Sequence, residues 1–383
     1  MAAFGAMQMQ QVTRGWLIYD LTQSPLALAL VVVSFALPMF LFSLIGGVLA
    51  DRLPKRILIT TSQSFNALSG FLIGALVLMG GIKLWHLLLV GVINGSLLAM
   101  NGPSRMAIIP EIVPRDRLVS AIALGQAGMN MTRIAGPAIA GILISLINVS
   151  GVYWIISILY LFSSITIMKV TRTEDPDQDW SRWKFGREYL RGPRYVLENP
   201  LLLSLMGMAF VAVLLGMPYQ FLMPAYVVEA LGGSSQQLGY LMMMTGIGAL
   251  IGSLGSGIIG QIRRKGALLM LSILIWSISL FAFSISHLFT IALTTLLLIG
   301  ATSAMFMTFN TSIIQLLTTR ELYGRIMSIN MMTFGMMPLA VLPIGLGAER
   351  FGTPNTLAAA ALLLIIAAVL FLVFNKKVRE LEL

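Results

Sequence analysis

The sequence predicts an all-α polytopic membrane protein with twelve transmembrane helices, arranged as two pseudo-symmetric six-helix bundles. Three observations carry that prediction: a composition too poor in charge for a water-facing surface, a succession of membrane-length apolar runs, and a lopsided distribution of Lys and Arg. Hydrophobic residues fill 57% of the 383 positions and charged residues only 10%, whereas a soluble domain carries about 25% charged residues. A soluble enzyme is thereby excluded, and little length remains for an extramembrane domain.

Apolar runs fall at about 1–21, 25–50, 57–81, 85–104, 118–147, 151–168, 200–228, 236–262, 267–286, 288–312, 326–348 and 355–374. Each approaches or exceeds the ~17–25 residues that cross a bilayer as a helix. In lipid the backbone must satisfy its own hydrogen bonds, and the alternation of a barrel strand is absent, so the runs read as helices.

Orientation follows from charge. Of the 25 Lys and Arg residues, 21 fall after the even-numbered runs, while Lys83 and Arg350 lie on the opposite side and Arg14 and Arg133 lie inside spans. The positive-inside rule then places both termini in the cytoplasm. The net charge of +10 is spread between apolar runs facing an anionic leaflet, not gathered into a patch for nucleic acid. Cysteine is absent, and His86 and His287 stand alone near outer loops. No metal, other cofactor or membrane-embedded catalytic centre is expected.

The longest hydrophilic stretch, 169–199, separates an N-terminal bundle (1–168) from a C-terminal one (200–375), and 376–383 forms a cytoplasmic tail. Its first part, Glu174 to Asp179, is acidic; its second mixes Trp180, Trp183, Tyr189 and Tyr195 with basic residues. That mixture suits a helix lying in the interface, or equally an ordinary solvated linker. Met1 opens directly into a membrane-length segment, so no cleavable signal is read. Met1 to Asp20 reaches ~30 Å as a helix, barely the hydrocarbon thickness, and the expectation is that part of helix 1 is missing.

The halves read as repeats. Gly47-Val-Leu-Ala-Asp51-Arg-Leu-Pro-Lys55 precedes Gly257-Ile-Ile-Gly-Gln261-Ile-Arg-Arg-Lys265 by 210 positions, and Arg117-Leu-Val-Ser120 precedes Arg325-Ile-Met-Ser328 by 208. Parallel six-plus-six duplication is the pattern of transporters that hold substrate between two rocking bundles.

With these residues in view, the chain resembles the major facilitator superfamily, in its twelve-helix bacterial drug-exporter branch that includes macrolide and siderophore exporters. The most specific match is Gly47 to Arg56, similar to the family's loop 2–3 motif, with Pro54 in place of a glycine. Tyr19 to Pro25, Asn101 to Arg105, Pro110 to Arg115 and Leu190 to Pro200 match further. Arg133-Ile-Ala-Gly136-Pro137-Ala-Ile-Ala-Gly141 resembles the antiporter motif. The resemblance implies a secondary active transporter of the bacterial inner membrane. It would export small amphipathic molecules by alternating access, as a monomer in the lipid bilayer, with protons as coupling ion. A non-transporting sensor on the same scaffold, or an importer of a small metabolite, is the alternative.

Two sets of candidate site residues follow. Gly47, Asp51, Arg52, Lys55, Arg56 and Arg325 are expected to gate the cytoplasmic side. Gln10, Gln11 and Arg14 on span 1, with Asn130 and Arg133 on span 5, are expected to line a substrate cavity. Gln10 and Arg14 share a helical face, and an arginine at mid-membrane costs ~2.5–3.5 kcal/mol or more, so it faces a bundle interior or water. Each arginine either ties helices together or gives the cavity a positive potential that favours acidic or neutral polar substrates. Gly136, Pro137 and Gly141 are expected to bend span 5 and bring it close to a neighbour. Span 4 carries no arginine between Trp85 and Asn101, and no span buries a clear carboxylate.

Overall fold

The computed structural model describes residues 1–52, 54–169, 191–259, 264–319 and 322–379, and among these every regular element is helical. Two compact units emerge. The first comprises Met1–Asp179 with Gly233–Met243, the second Trp180–Gly232 with Met244–Leu383.

In the first unit, α1 (Ala2–Thr22), α2 (Pro25–Arg52), α3 (Lys55–Leu78) and α4 (Leu84–Ile112) follow the first four apolar runs. A short 3-10 turn (Arg115–Arg117) leads into α5 (Leu118–Met168). At 51 residues, α5 would be about 76 Å long, more than twice the hydrocarbon thickness. Asn148 breaks it with φ 61° and ψ 171°, far from helical backbone angles. The two arms, 118–147 and 149–168, follow the apolar runs 118–147 and 151–168. α1 and α3 pack along α5, and α2 along α4. The second contact is tight: a Cβ on Gly95 would collide with the carbonyl of Phe35, and one on Gly91 with the hydroxyl of Ser34. Lipid supplies no hydrophobic drive between helices, so backbone proximity of this kind holds the bundle together.

The second unit begins with α6 (Arg191–Glu198), followed by α7 (Pro200–Gly216) and α8 (Tyr219–Leu231). Asn199 caps α7 by accepting from the amides of Leu201 and Leu202, and Pro200 sits at the first helical position, where its missing N–H is not needed. Then come α9 (Ser235–Ile259), α10 (Lys265–Ser284) and α11 (Phe289–Leu317). The last elements are α12 (Tyr323–Gly335), α13 (Pro338–Phe351), α14 (Thr353–Phe374) and a terminal turn, α15 (Lys376–Arg379). The runs read as spans 7 and 11 are each broken before or at a proline, Pro218 and Pro338, whose ring cannot continue a helical ladder. α10 packs against α11 and α14. Around it, Trp276 lies 6.0 Å from Phe306 between ring centroids. Tyr226 lies 4.2 Å from Phe283.

The repeat seen in the sequence returns in the packing. Gly300 on α11 faces the backbone of Thr245 on α9, as Gly91 faces Ser34; the residues of these pairs are 209 and 211 positions apart. Among the described residues eight helices are long and apolar enough to cross a membrane, α5 counting once with both arms and α7 with α8 as one.

Candidate functional site

The polar interior of the first unit is built by α1 and the second arm of α5. Gln10 and Arg14 stand four residues apart on α1, and Tyr153 and Tyr160 seven apart on α5, so each pair shares one helical face. Tyr160, 5% exposed, donates its hydroxyl to Oε1 of Gln10, 7% exposed, at 3.1 Å. Tyr153 is fully buried and its hydroxyl has no hydrogen-bond partner. Arg14 lies within electrostatic reach of both tyrosines, and its guanidinium sits 5.7 Å from the centroid of Phe35 on α2. Thr13, Leu17 and Ile18 beside it are buried, whereas Arg14 and Gln11 are half-buried and reach solvent.

A second cation lies nearer the start of α1: Arg105 of α4 stands 4.3 Å over the ring of Phe4. The apolar run ends at 104, which placed Arg105 in the loop after span 4; the helix instead continues two turns to Ile112. The sequence signal for its role was its place in Asn101-Gly-Pro-Ser-Arg105, directly after an unbroken apolar run. Tyr153 and Tyr160 gave no such signal, because tyrosine in a membrane helix is ordinary. Among the described residues neither Arg14 nor Arg105 makes an ion pair or a hydrogen bond. Asp20 and Glu349 are exposed near helix ends. Glu229 accepts from the amide and hydroxyl of Thr353 at 2.8 and 3.0 Å, capping α14. None of these three carboxylates belongs to the polar interior around Gln10 and Tyr160.

Asn130 and Arg133 are exposed on the first arm of α5 and are not gathered with Arg14. The face of that arm turned to α1 carries Gly128, Thr132 and Gly136 at four-residue spacing, opposite Met1, Gly5 and Gln8. A Cβ on Gly136 would stand 2.7 Å from Cβ of Gln8. One on Gly141 would stand 2.5 Å from the carbonyl oxygen of Ser235 and 3.0 Å from Cα of Gly239. A Cβ on Gly239 would in turn stand 2.6 Å from the Pro137 carbonyl oxygen, and Ser235 donates its hydroxyl to the Gly141 carbonyl at 3.3 Å. Gly136, Pro137 and Gly141 therefore act where α5 meets α1 and the start of α9.

Of the expected gating residues, Gly47, Asp51 and Arg52 occupy the last turns of α2, and Arg325 the first turn of α12; their side chains lie outside the described part. Lys55 opens α3. Arg56 donates to the main-chain oxygen of Met168 at the end of α5, where a cation complements the negative pole of the helix. Of the 169–199 linker, 170–190 lies outside the described residues. In α6, Arg194 pairs with Glu198 at 2.7 Å and Val196 is buried. No group of His, Asp and Glu among the described residues could hold a metal ion.

Known proteins share this sequence and fold. Over 378 residues, 96% of this chain and 91% of the other, the sequence is 24% identical to the multidrug efflux pump Tap of Mycolicibacterium fortuitum. It is 25% identical to the staphyloferrin A transporter of Staphylococcus aureus, covering 96% and 92% of the two chains. The fold superposes on a bacterial homolog of the human lysosomal transporter Spinster, solved inward-facing and occupied, with a TM-score of 0.76 at 14% identity over 99% and 95% of the chains. The transmembrane secretion effector family matches residues 1–383 throughout. The family match runs from end to end and makes the assignment: the chain belongs to the transmembrane secretion effector family of the major facilitator superfamily, which are membrane transporters and not enzymes.

Proposed function

We propose that this transporter exports small amphipathic molecules, of the drug or siderophore kind, from the cytoplasm by alternating access of its two helical bundles. The observation that carries the proposal is the polar strip of Gln10 and Arg14 on α1, facing the interior of the first unit. An arginine within a membrane helix marks a substrate pathway more often than a helix contact. Relatives matched along nearly their whole length are an efflux pump and a siderophore transporter. Protons as coupling ion, a monomeric state and the inner membrane as location enter through the family resemblance. Expression in a pump-deficient bacterial host should raise resistance to members of a drug panel, and inverted vesicles should accumulate the same compounds. Uptake into right-side-out cells instead would reverse the direction and return the importer.

Orientation and gate belong to the same proposal. With both termini cytoplasmic, a phosphatase reporter should be active when inserted near Lys83 and inactive after Lys377. Reversed signals would sink that topology. In the proposed gate of Gly47, Asp51, Arg52, Lys55, Arg56 and Arg325, Asp51 biases one of two states through helix-terminus hydrogen bonds. Asp51→Asn should lower export several-fold while abundance in the membrane stays near normal. Full export by that variant would reduce Asp51 to a solvated loop charge.

A further inference from the structure

We propose that Gln126, Asn130 and Arg133 form a water-facing strip on the first arm of α5, along which a small solute bearing an acid group passes through the membrane. The strip rests on the transport function above and gives that function a wall of its path and a substrate class. The three residues stand four and three positions apart, so they share one helical face, and all three are exposed. Two further steps of four bring the same face to Pro137 and Gly141, both buried. There the start of α9 closes on it: a Cβ on Gly141 would stand 2.5 Å from the carbonyl oxygen of Ser235, and Ser235 donates its hydroxyl to the Gly141 carbonyl. One face of one helix is thus shut toward its C-terminal end and open and polar for the two turns before it.

The other faces of the arm show that the strip does not meet lipid. Gly128, Thr132 and Gly136 turn to α1. Leu124 and Met131, seven residues apart and rotated about 140° from the strip, are 69% and 73% exposed and form the lipid face. The arm therefore shows two exposed faces of opposite chemistry. Arg133 lies about 20 Å from either end of the arm, too far for its side chain to snorkel to a headgroup. A cation at that depth faces a bundle interior or water, and the two amides beside it are costly to leave unbonded in hydrocarbon. Among the described residues none of the three has a hydrogen-bond or ion-pair partner. No acidic residue occurs between Arg117 and Thr173 or within α9. The strip is a cation flanked by amides with no counter-charge on its own helix or on the helix that closes it, a field that draws in acid groups and repels organic cations.

The chain has no cysteine, so single cysteines placed in the full-length protein report the two faces directly. Gln126→Cys and Asn130→Cys are compared with Leu124→Cys and Met131→Cys in membranes sheared open, so that charged methanethiosulfonates reach both sides. A thiol reacts as its thiolate, which apolar surroundings suppress, so the two strip variants should react about ten-fold faster or more than the two lipid-face variants. At Asn130→Cys the anionic sulfonatoethyl reagent should outpace the cationic trimethylammonium-ethyl reagent, each rate being taken relative to a free thiol in solution. Adding Arg133→Gln should cut that preference about five-fold, the scale of one unit charge a helical turn away in water, and Arg133→Lys should keep it. If Arg133→Gln does not reach the membrane, salt carries the test, since high ionic strength should erase the preference in the arginine parent. Equal rates at all four positions, or faster reaction at Leu124→Cys and Met131→Cys, would overturn the strip. A preference that survives both Arg133→Gln and salt would overturn the acid assignment. Labelling needs no turnover: a strip that labels as expected in a protein that exports nothing breaks the transport proposal alone, and export without face-selective labelling breaks the strip alone.

Discussion

The two units use the same device to pack their helices and fill their interiors with different chemistry. In the first, Gly91 and Gly95 on α4 let α2 approach at Ser34 and Phe35; in the second, Gly300 on α11 lets α9 approach at Thr245. Where α1 meets α5 the first unit places Gln10 and Arg14 with Tyr153 and Tyr160. The second places Trp276, Phe283, Phe306 and Tyr226 around α10 and, among its described residues, no cation at mid-helix. Small residues at helix crossings belong to the duplicated scaffold, so they persist in both copies. Charge belongs to the task, and one copy carries it.

Overfilling the crossings is the most damaging way to probe that likeness. At Gly95 and Gly300 a side chain would meet backbone carbonyls, which cannot rotate aside as a flexible side chain can. Gly95→Val and Gly300→Val should each cost about 3 kcal/mol or more, the upper range for overpacking a filled interface. Size-exclusion profiles and melting in detergent report it as lost monodisperse protein or a large fall in Tm. Collapse at Gly95 with tolerance at Gly300 would mean that the two halves are not held in the same way.

Most of this scaffold is legible in the chain because hydrophobic length is a strong signal. Each apolar run corresponds to helix, and the run boundaries lie within a few residues of the helix ends in most cases. What hydropathy misses is continuity. It does not report that 200–228 and 326–348 break at Pro218 and Pro338, since apolar residues flank both breaks, nor that α4 runs on past a polar segment to Ile112. The second omission misplaced Arg105. The site was half legible for a related reason: Gln10 and Arg14 betray themselves by polarity in an apolar helix, whereas Tyr153 and Tyr160 join them only once α1 and α5 are packed. Arg133 is also a charge inside an apolar run, but it is exposed and stands apart from them.

The buried tyrosines sharpen the contrast at smaller amplitude. Tyr226 donates to the main-chain carbonyls of Phe283 and Ser286, the latter at 2.7 Å, and Tyr160 donates to one side-chain amide. Tyr226→Phe leaves buried carbonyls at the end of α10 short of a donor, a loss of about 1–3 kcal/mol. Tyr160→Phe should cost less, because an amide side chain can turn where a helix carbonyl cannot. Export should respond in the opposite order, falling in Tyr160→Phe and holding in Tyr226→Phe. Paired Tm and vesicle-transport measurements check both orders, and parallel losses in the two assays would remove the division between a working and a structural interior.

The smallest expected effect is a gain. Arg14 has no described ion pair, and its contact with Phe35 at 5.7 Å offsets only part of the cost of keeping a cation away from bulk water. Arg14→Met has similar length and no charge, fits an apolar neighbourhood through its flexible thioether, and leaves the Gln10–Tyr160 bond in place. The fold should gain about 1 kcal/mol, the low end of what is seen when buried charge gives way to packed hydrophobic atoms, while export of an acidic substrate falls. A residue held for helix packing would show the reverse, with Tm falling and transport following only as folded protein is lost. A rise in Tm together with failed acid transport therefore separates a charge kept for cargo from one kept for structure. It would also assign to the first unit a stability deficit that the aromatic interior of the second unit does not carry.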